Sequence, residues 1–192
     1  TFHTQGNPGT IGSVPYITIT GGGIFRVEQF YHNTGQTIVG ENVTIDVGGT
    51  VSYLLHVAAV RWEQNSTFVY SKNQASEATI YHNWTKETGF ENLVVGSATN
   101  TVTGRLKFAN SSVGDGAFVR GNLTILAYGT EGNAATINIG TGKINVAGNF
   151  IDEGTDSENY GTGTVVFNGD GTKQLVSIGR TALTNHCQVG RS

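Results

Sequence analysis

Apolar and polar residues alternate along this chain in short runs, and some of the runs recur at a fixed distance. Gly121-Asn-Leu-Thr-Ile125, Gly142-Lys-Ile-Asn-Val146 and Gly163-Thr-Val-Val-Phe167 follow one another at a spacing of 21 residues. Each begins with Gly and carries apolar residues two and four places later. The apolar pairs are Leu123 and Ile125, Ile144 and Val146, and Val165 and Phe167. A spacing of two puts both members of a pair on one face of a strand. Gly148 and Gly169 repeat the same interval beyond the strands. Further alternating runs predict strands at Phe68–Tyr70, Ala78–Ile80, Leu93–Val95, Leu106–Phe108, Thr136–Ile139 and Leu175–Ile178. Each period therefore holds two or three short strands. Val51–Trp62 reads equally well as a buried strand or a short capping helix.

Short strands in a fixed period predict an all-β fold, a parallel β-solenoid (β-helix) with coils of about 21 residues and apolar columns inside. Gly121, Gly142, Gly163, Gly148 and Gly169 are expected at corners, where a positive φ costs glycine nothing. The alternative is a β-sandwich or jelly roll, which also alternates but gives no reason for periodic glycines. The organisation expected is an extended N-terminal segment with the first strands over 1–35, a solenoid domain over 36–180 and a C-terminal tail over 181–192. Tyr16-Ile-Thr-Ile-Thr20 at the start is a candidate strand for adding to a neighbouring subunit.

Composition sharpens this picture. The 192 residues include 28 Gly, only 2 Pro and no Met, and charged residues make up 13%, about half the usual 25%. Thr and Val favour strands, and Asn and Gly favour turns. The net charge of −3 and the scattered 11 Lys and Arg give no basic stripe for nucleic acid. No apolar run approaches the roughly 20 residues of a membrane-spanning helix. One cysteine, Cys187, precludes an internal disulfide framework; it reads as an incidental thiol or a link to another chain. A first residue Thr1, with no apolar leader after it, reads as a mature secreted chain.

Gly148-Asn-Phe150, followed by Gly161-Thr-Gly-Thr-Val-Val-Phe-Asn-Gly-Asp-Gly-Thr172 and Gln174, resembles a repeat of long bacterial surface proteins that runs roughly GNF…GTGTVTFNGSGTQ. Phe90-Glu-Asn-Leu93 is similar to an F-N-L strand that accompanies it. The resemblance is good over about 119–178, weaker over 40–118, and absent from the first 35 residues and from the tail after Arg180. It implies a secreted, repetitive β-solenoid with an adhesive or structural role, and no catalytic residue comes with it.

Chemistry is sparse. His3, His32, His56, His82 and His186 stand singly, without metal-ligand spacing. Ile139-Gly-Thr-Gly-Lys143 falls short of a phosphate loop, with Ile137 and Ile144 where Gly and Ser or Thr belong. Val113-Gly-Asp-Gly116 and Asn168-Gly-Asp-Gly171 offer one carboxylate each, too few for calcium, so they read as turns. Asp152, Glu153, Asp156 and Glu158 read as a solvated insertion, or else as a carboxylate pair for glycoside cleavage. No catalytic residue, cofactor or metal site is therefore expected. Asn42, Asn65, Asn83, Asn110 and Asn122 open N-x-S/T sequons and are possible N-glycosylation sites. Composition alone supplies about three such matches, so five is no clear excess. Tyr16, Phe25, Phe30, Tyr31, Trp62, Phe68, Tyr70, Tyr81 and Trp84 crowd the first half, either as core or as a stacking platform for sugars.

A solenoid exposes unpaired strand edges at both ends. The function expected is an extracellular or cell-surface structural protein that self-associates head to tail into a homopolymeric fibre. The alternatives are an adhesin domain that binds glycans and a β-helix enzyme that cleaves polysaccharides. Ice binding needs ranks of Thr that Thr136, Thr162 and Thr164 do not keep.

Overall fold

The structure is a computed structural model of the 192-residue chain. It describes residues 17–27, 30, 37–48, 55–56, 60–71, 77–81, 89–97, 105–108, 116–126, 135–153, 163–169, 174–178 and 187–189. Among these there is no helix, and every strand pairing is parallel. The antiparallel sandwich is thereby excluded. His3, His32, His82, His186, Asn83, Asn110, Tyr16, Tyr31, Trp84, Asp156 and Glu158 lie outside the described residues, as does Asp115.

Among the described residues, eighteen short strands, numbered in chain order, form four sheets. The largest has seven strands: β2 (Gly23–Val27), β4 (Val43–Val47), β7 (Thr67–Tyr70), β9 (Asn92–Val95), β12 (Leu123–Ile125), β15 (Phe150–Asp152) and β17 (Val176–Ile178). A three-stranded sheet holds β1 (Ile17–Ile19), β3 (Thr37–Val39) and β6 (Val60–Trp62). One four-stranded sheet holds β5 (Leu55–His56), β8 (Glu77–Tyr81), β10 (Arg105–Phe108) and β13 (Thr136–Asn138). The other holds β11 (Ala117–Val119), β14 (Lys143–Val146), β16 (Thr164–Phe167) and β18 (Cys187–Val189). In every sheet, spatial order follows chain order. Val51–Trp62 thus contains two strands, β5 and β6. Tyr16–Thr20 contains β1, which pairs with β3 of its own chain. The segment read as a tail supplies β18, which pairs with β16.

The core follows from register. Side chains alternate inward and outward along strands such as β4, β7, β9 and β16, where buried and half-buried positions alternate. Phe25, Ile45, Phe68, Leu93, Leu123, Phe150 and Val176 occupy successive matching positions across the seven-stranded sheet. A second row pairs Ala117 with Ile144 and Ile144 with Val165. Burying an aliphatic or aromatic side chain of this kind contributes roughly 1.5–3 kcal/mol. Trp62, Phe68 and Phe90 meet with ring centroids 5.1–5.7 Å apart. A lone parallel bridge from Phe90 to Val119 and a bond from the Arg120 guanidinium to the Trp62 carbonyl tie β6 to the chain around β11.

The 21-residue period needs correction. It holds between β14 and β16, where Ile144 faces Val165. Leu123 belongs to a different sheet and faces Leu93 and Phe150, at offsets of 30 and 27. Other pairings run from an offset of 20, Gly23 to Val43, to 31, Arg105 to Thr136. Stacking requires only that strands meet in register, and the segments between sheets absorb different lengths. The glycines regroup accordingly. Gly121 stands under Gly148, whose N–H donates to the Gly121 carbonyl at 2.9 Å, while Gly142 stands beside Gly163.

The reason for these glycines also differs from the expectation. None of the five has a positive φ. A Cβ on Gly148 would lie 2.5 Å from the Gly121 carbonyl, and one on Gly163 would lie 2.6 Å from the Gly142 oxygen. Gly121, Gly148, Gly163 and Gly169 each have a neighbouring backbone oxygen where a Cβ would stand, so they are glycine because backbone passes over backbone. Gln174, the last residue of the quoted motif, closes one of these turns. Its Nε2 donates to the carbonyls of Val146 and Gly148 at 2.9 and 2.6 Å, and its Oε1 accepts from the Gly169 N–H at 3.1 Å.

Two stability changes follow, both read by urea unfolding. Gly148→Ala forces a shift between neighbouring backbones and lowers stability by about 1–3 kcal/mol. Leu123→Ala empties one place in the row of seven and costs about 2–5 kcal/mol.

Candidate functional site

The seven-stranded sheet carries the features with most bearing on function, namely its two edges and its outer face. Along the inner row, Ile45, Phe68, Leu93, Leu123 and Phe150 are at most 1% exposed, but Phe25 at one end is 41% exposed and Val176 at the other 39%. Their neighbours Ile24 and Leu175 are 63% and 56% exposed. Among the described residues these four are the exposed large hydrophobics, and all four lie on or directly beside the edge strands β2 and β17. The cause is elementary. An inner strand has a neighbour on each side covering its side chains, and an edge strand has one.

Where strands enter this sheet, asparagines form a ladder. The Asn122 N–H donates to Asn92 Oδ1 at 2.9 Å, the Asn149 N–H to Asn122 Oδ1 at 2.8 Å, and the Leu175 N–H to Asn149 Oδ1 at 2.9 Å. Asn92 Nδ2 donates in turn to the Ser66 carbonyl at 3.1 Å. Each side chain reaches one strand along and accepts from a backbone donor. The outer face between these entries holds Thr67, Val69, Val94, Thr124 and Ile151, all half-buried. At one end Arg26 pairs with Asp46 at 3.4 Å and Ser71 Oγ also donates to Asp46, and at the other Glu153 is exposed beyond Ile151.

The sequons separate into different roles. Asn42 and Asn65 are exposed, and each adopts φ 59° at the turn before its strand. Gly22, with φ 68°, fills the corresponding place before β2. Asn tolerates this left-handed conformation better than other side-chain-bearing residues. Asn122 is a rung of the ladder. The aromatics separate as well. Phe30, Trp62, Phe68 and Tyr70 are buried in the core, while Phe25 is half exposed.

Asp152 departs from the solvated insertion expected of it. It is 1% exposed on the inward side of β15, in the position matching Ile125, while Glu153 is exposed beside it. Inward and outward positions alternate, so the two carboxylates face opposite ways. Lys143 starts β14 after a turn in which Asn138 Oδ1 accepts from the Gly140 N–H at 2.8 Å and Gly140 takes φ 62°. No cluster of three or more His, Cys, Asp or Glu suited to a metal occurs among the described residues, and no helix among them is long and apolar enough to cross a membrane. No protein-family model, curated protein or solved structure matches the chain.

Sequence reasoning missed the ladder. Asn92, Asn122 and Asn149 each immediately precede a core Leu or Phe, which was the available signal, but their spacings of 30 and 27 hide them from a search at fixed period. Asn149→Ala should lower stability by about 0.5–1.5 kcal/mol through loss of the bond to Leu175. Asn65→Ala should cost about 1–2 kcal/mol by placing an ordinary residue at positive φ, and Asn65→Gly should be tolerated. Urea unfolding of the three variants checks both.

Proposed function

We propose that the four sheets are the walls of one parallel β-solenoid, and that the protein is an extracellular structural module that joins end to end into a fibre. The visiting order supports the solenoid. The chain passes from β3 to β4 to β5, then from β6 to β7 to β8, and later from β11 to β12 to β13. Whenever it returns to a sheet, it adds the strand next to the one it added before. On this reading β1, β3 and β6 share a wall with β11, β14, β16 and β18, and Phe90 is the link between them.

The observation that carries the function is that, among the described side chains, the exposed large hydrophobics are those of β2, β17 and Leu175. At both ends of one sheet, exposed apolar side chains coincide with a strand that has a single strand neighbour among the described residues. Natural sheets that stay apart protect such edges with charge, proline or bulges. Here the β17 edge offers Leu175, Val176 and Ser177. Among the described residues β17 is the last strand of this sheet. A strand from a second copy added beside it covers the open row and extends the parallel ladder. Sparse charge and the surface-protein resemblance agree with a secreted, repetitive assembly.

Electron microscopy and sedimentation across a concentration series provide the test. The intact chain should form end-joined particles or fibres whose length grows with concentration. Val176→Lys should shorten them without altering the β-sheet circular dichroism. Dispersed monomers at every concentration would refute the reading.

A further inference from the structure

From the outer face of the seven-stranded sheet we infer a binding surface for a neutral, extended polysaccharide lying across the strands. The face is a two-row array. One row is Val69, Val94, Thr124 and Ile151, which follow one another in register through β7, β9, β12 and β15. The second is Asn92, Asn122 and Asn149, which the same registers align. Successive members of a row stand about 4.8 Å apart, and the rows are about 6.6 Å apart along the strands where two residues separate them. The first row continues past Val69 to Asp46 and Arg26, which pair with each other at 3.4 Å, and Glu153 is exposed beyond Ile151; the four central positions and the three asparagines carry no charge.

The ladder fixes how the amides face. The Oδ1 atoms of Asn122 and Asn149 are spent on the N–H groups of Asn149 and Leu175. Their Nδ2 groups donate to no group among the described residues, and Asn122 is exposed. An amide with its oxygen held cannot flip to offer an acceptor. The face therefore presents oriented donors at regular steps beside half-buried aliphatic carbon.

These features select the ligand. It must bring acceptors to the donors, apolar C–H surface to the Val and Ile row, and no charge, because the central positions hold no ion to compensate one and Arg26 and Asp46 at one end already pair with each other. It must also repeat, since evenly spaced weak contacts act together only on a ligand that offers the same group many times. A chain of uncharged sugars meets all four demands. A second copy of the same face does not, because it would set donor against donor with the acceptors already committed. The surface touches neither β2 nor β17 and is independent of the end-to-end association proposed above.

The experiment is co-sedimentation of the intact chain with cellulose, chitin and an insoluble β-1,3-glucan, with insoluble polygalacturonate as the anionic comparison. Retention on at least one neutral polymer is expected, with little on polygalacturonate. Val94→Lys combined with Thr124→Lys places two cations mid-face without touching core or ladder and should weaken retention about tenfold. Thr79→Lys, on the sheet containing β8 and β10, should leave it unchanged. Hydrogen exchange of the unaltered chain gives a second readout that needs no variant, with bound polymer protecting β9, β12 and β15 more than β8, β10 and β13. Failure to bind any neutral polymer would overturn the inference. So would equal retention on polygalacturonate, full retention by the double variant, or protection confined to the other sheets. A double variant that only disperses self-association, with polysaccharide retention intact, would assign the face to contacts between copies and overturn it as well.

Discussion

In-register stacking of inward side chains is the constraint on which the rest of this molecule depends. Parallel strands about 4.8 Å apart bring like positions together, so each buried residue packs against the matching residue of the strand before and the strand after. The row from Phe25 to Val176 is the longest example. Other features are consequences of keeping that register. Gly148 lacks a side chain because the Gly121 backbone runs beneath it at one strand spacing. The asparagine ladder satisfies backbone N–H groups where strands begin. Gly22, Asn42 and Asn65 take the same left-handed turn at matching places.

Local alternation made the strands legible before any coordinates. The runs at Phe68, Ala78, Leu93, Leu106, Thr136 and Leu175 are strands because each sets apolar residues two apart, and that signal needs no partner. Register was legible only in part. Ile144 and Val165 are true neighbours at 21 residues, whereas Leu123 shares their pattern and sits on another sheet. Similar strands on two sheets carry the same Gly-x-apolar signature, so similarity between segments does not establish that they stack. Variable connections, with offsets from 20 to 31, then break the period. Asp152 misled for a related reason. Its acidic neighbours suggested solvent, but its place in β15 turns it inward.

The candidate site was half legible. Open ends follow from any stack of parallel strands, so the exposure at Phe25 and Val176 belongs to the architecture the alternation implies. The outer face was not legible, because its neutrality appears only once Val69, Val94, Thr124 and Ile151 are aligned. Scarcity of charge, evident from the composition, acquires a location there. The described ends carry exposed apolar side chains, and the central flank is uncharged with fixed amide donors. These two surfaces support the two proposals separately, the first extending the stack and the second lying along a polymer.

The parallel register is tested most directly by a distance across it. Nitroxide labels at Val69→Cys and Ser177→Cys, in a Cys187→Ser background diluted with unlabelled chain, report a span of four strand spacings on one outer row. Dipolar electron paramagnetic resonance should give a backbone separation of about 19 Å, four steps of about 4.8 Å. A separation near 10 Å or beyond about 30 Å would place β7 and β17 outside a single stack and contradict the account.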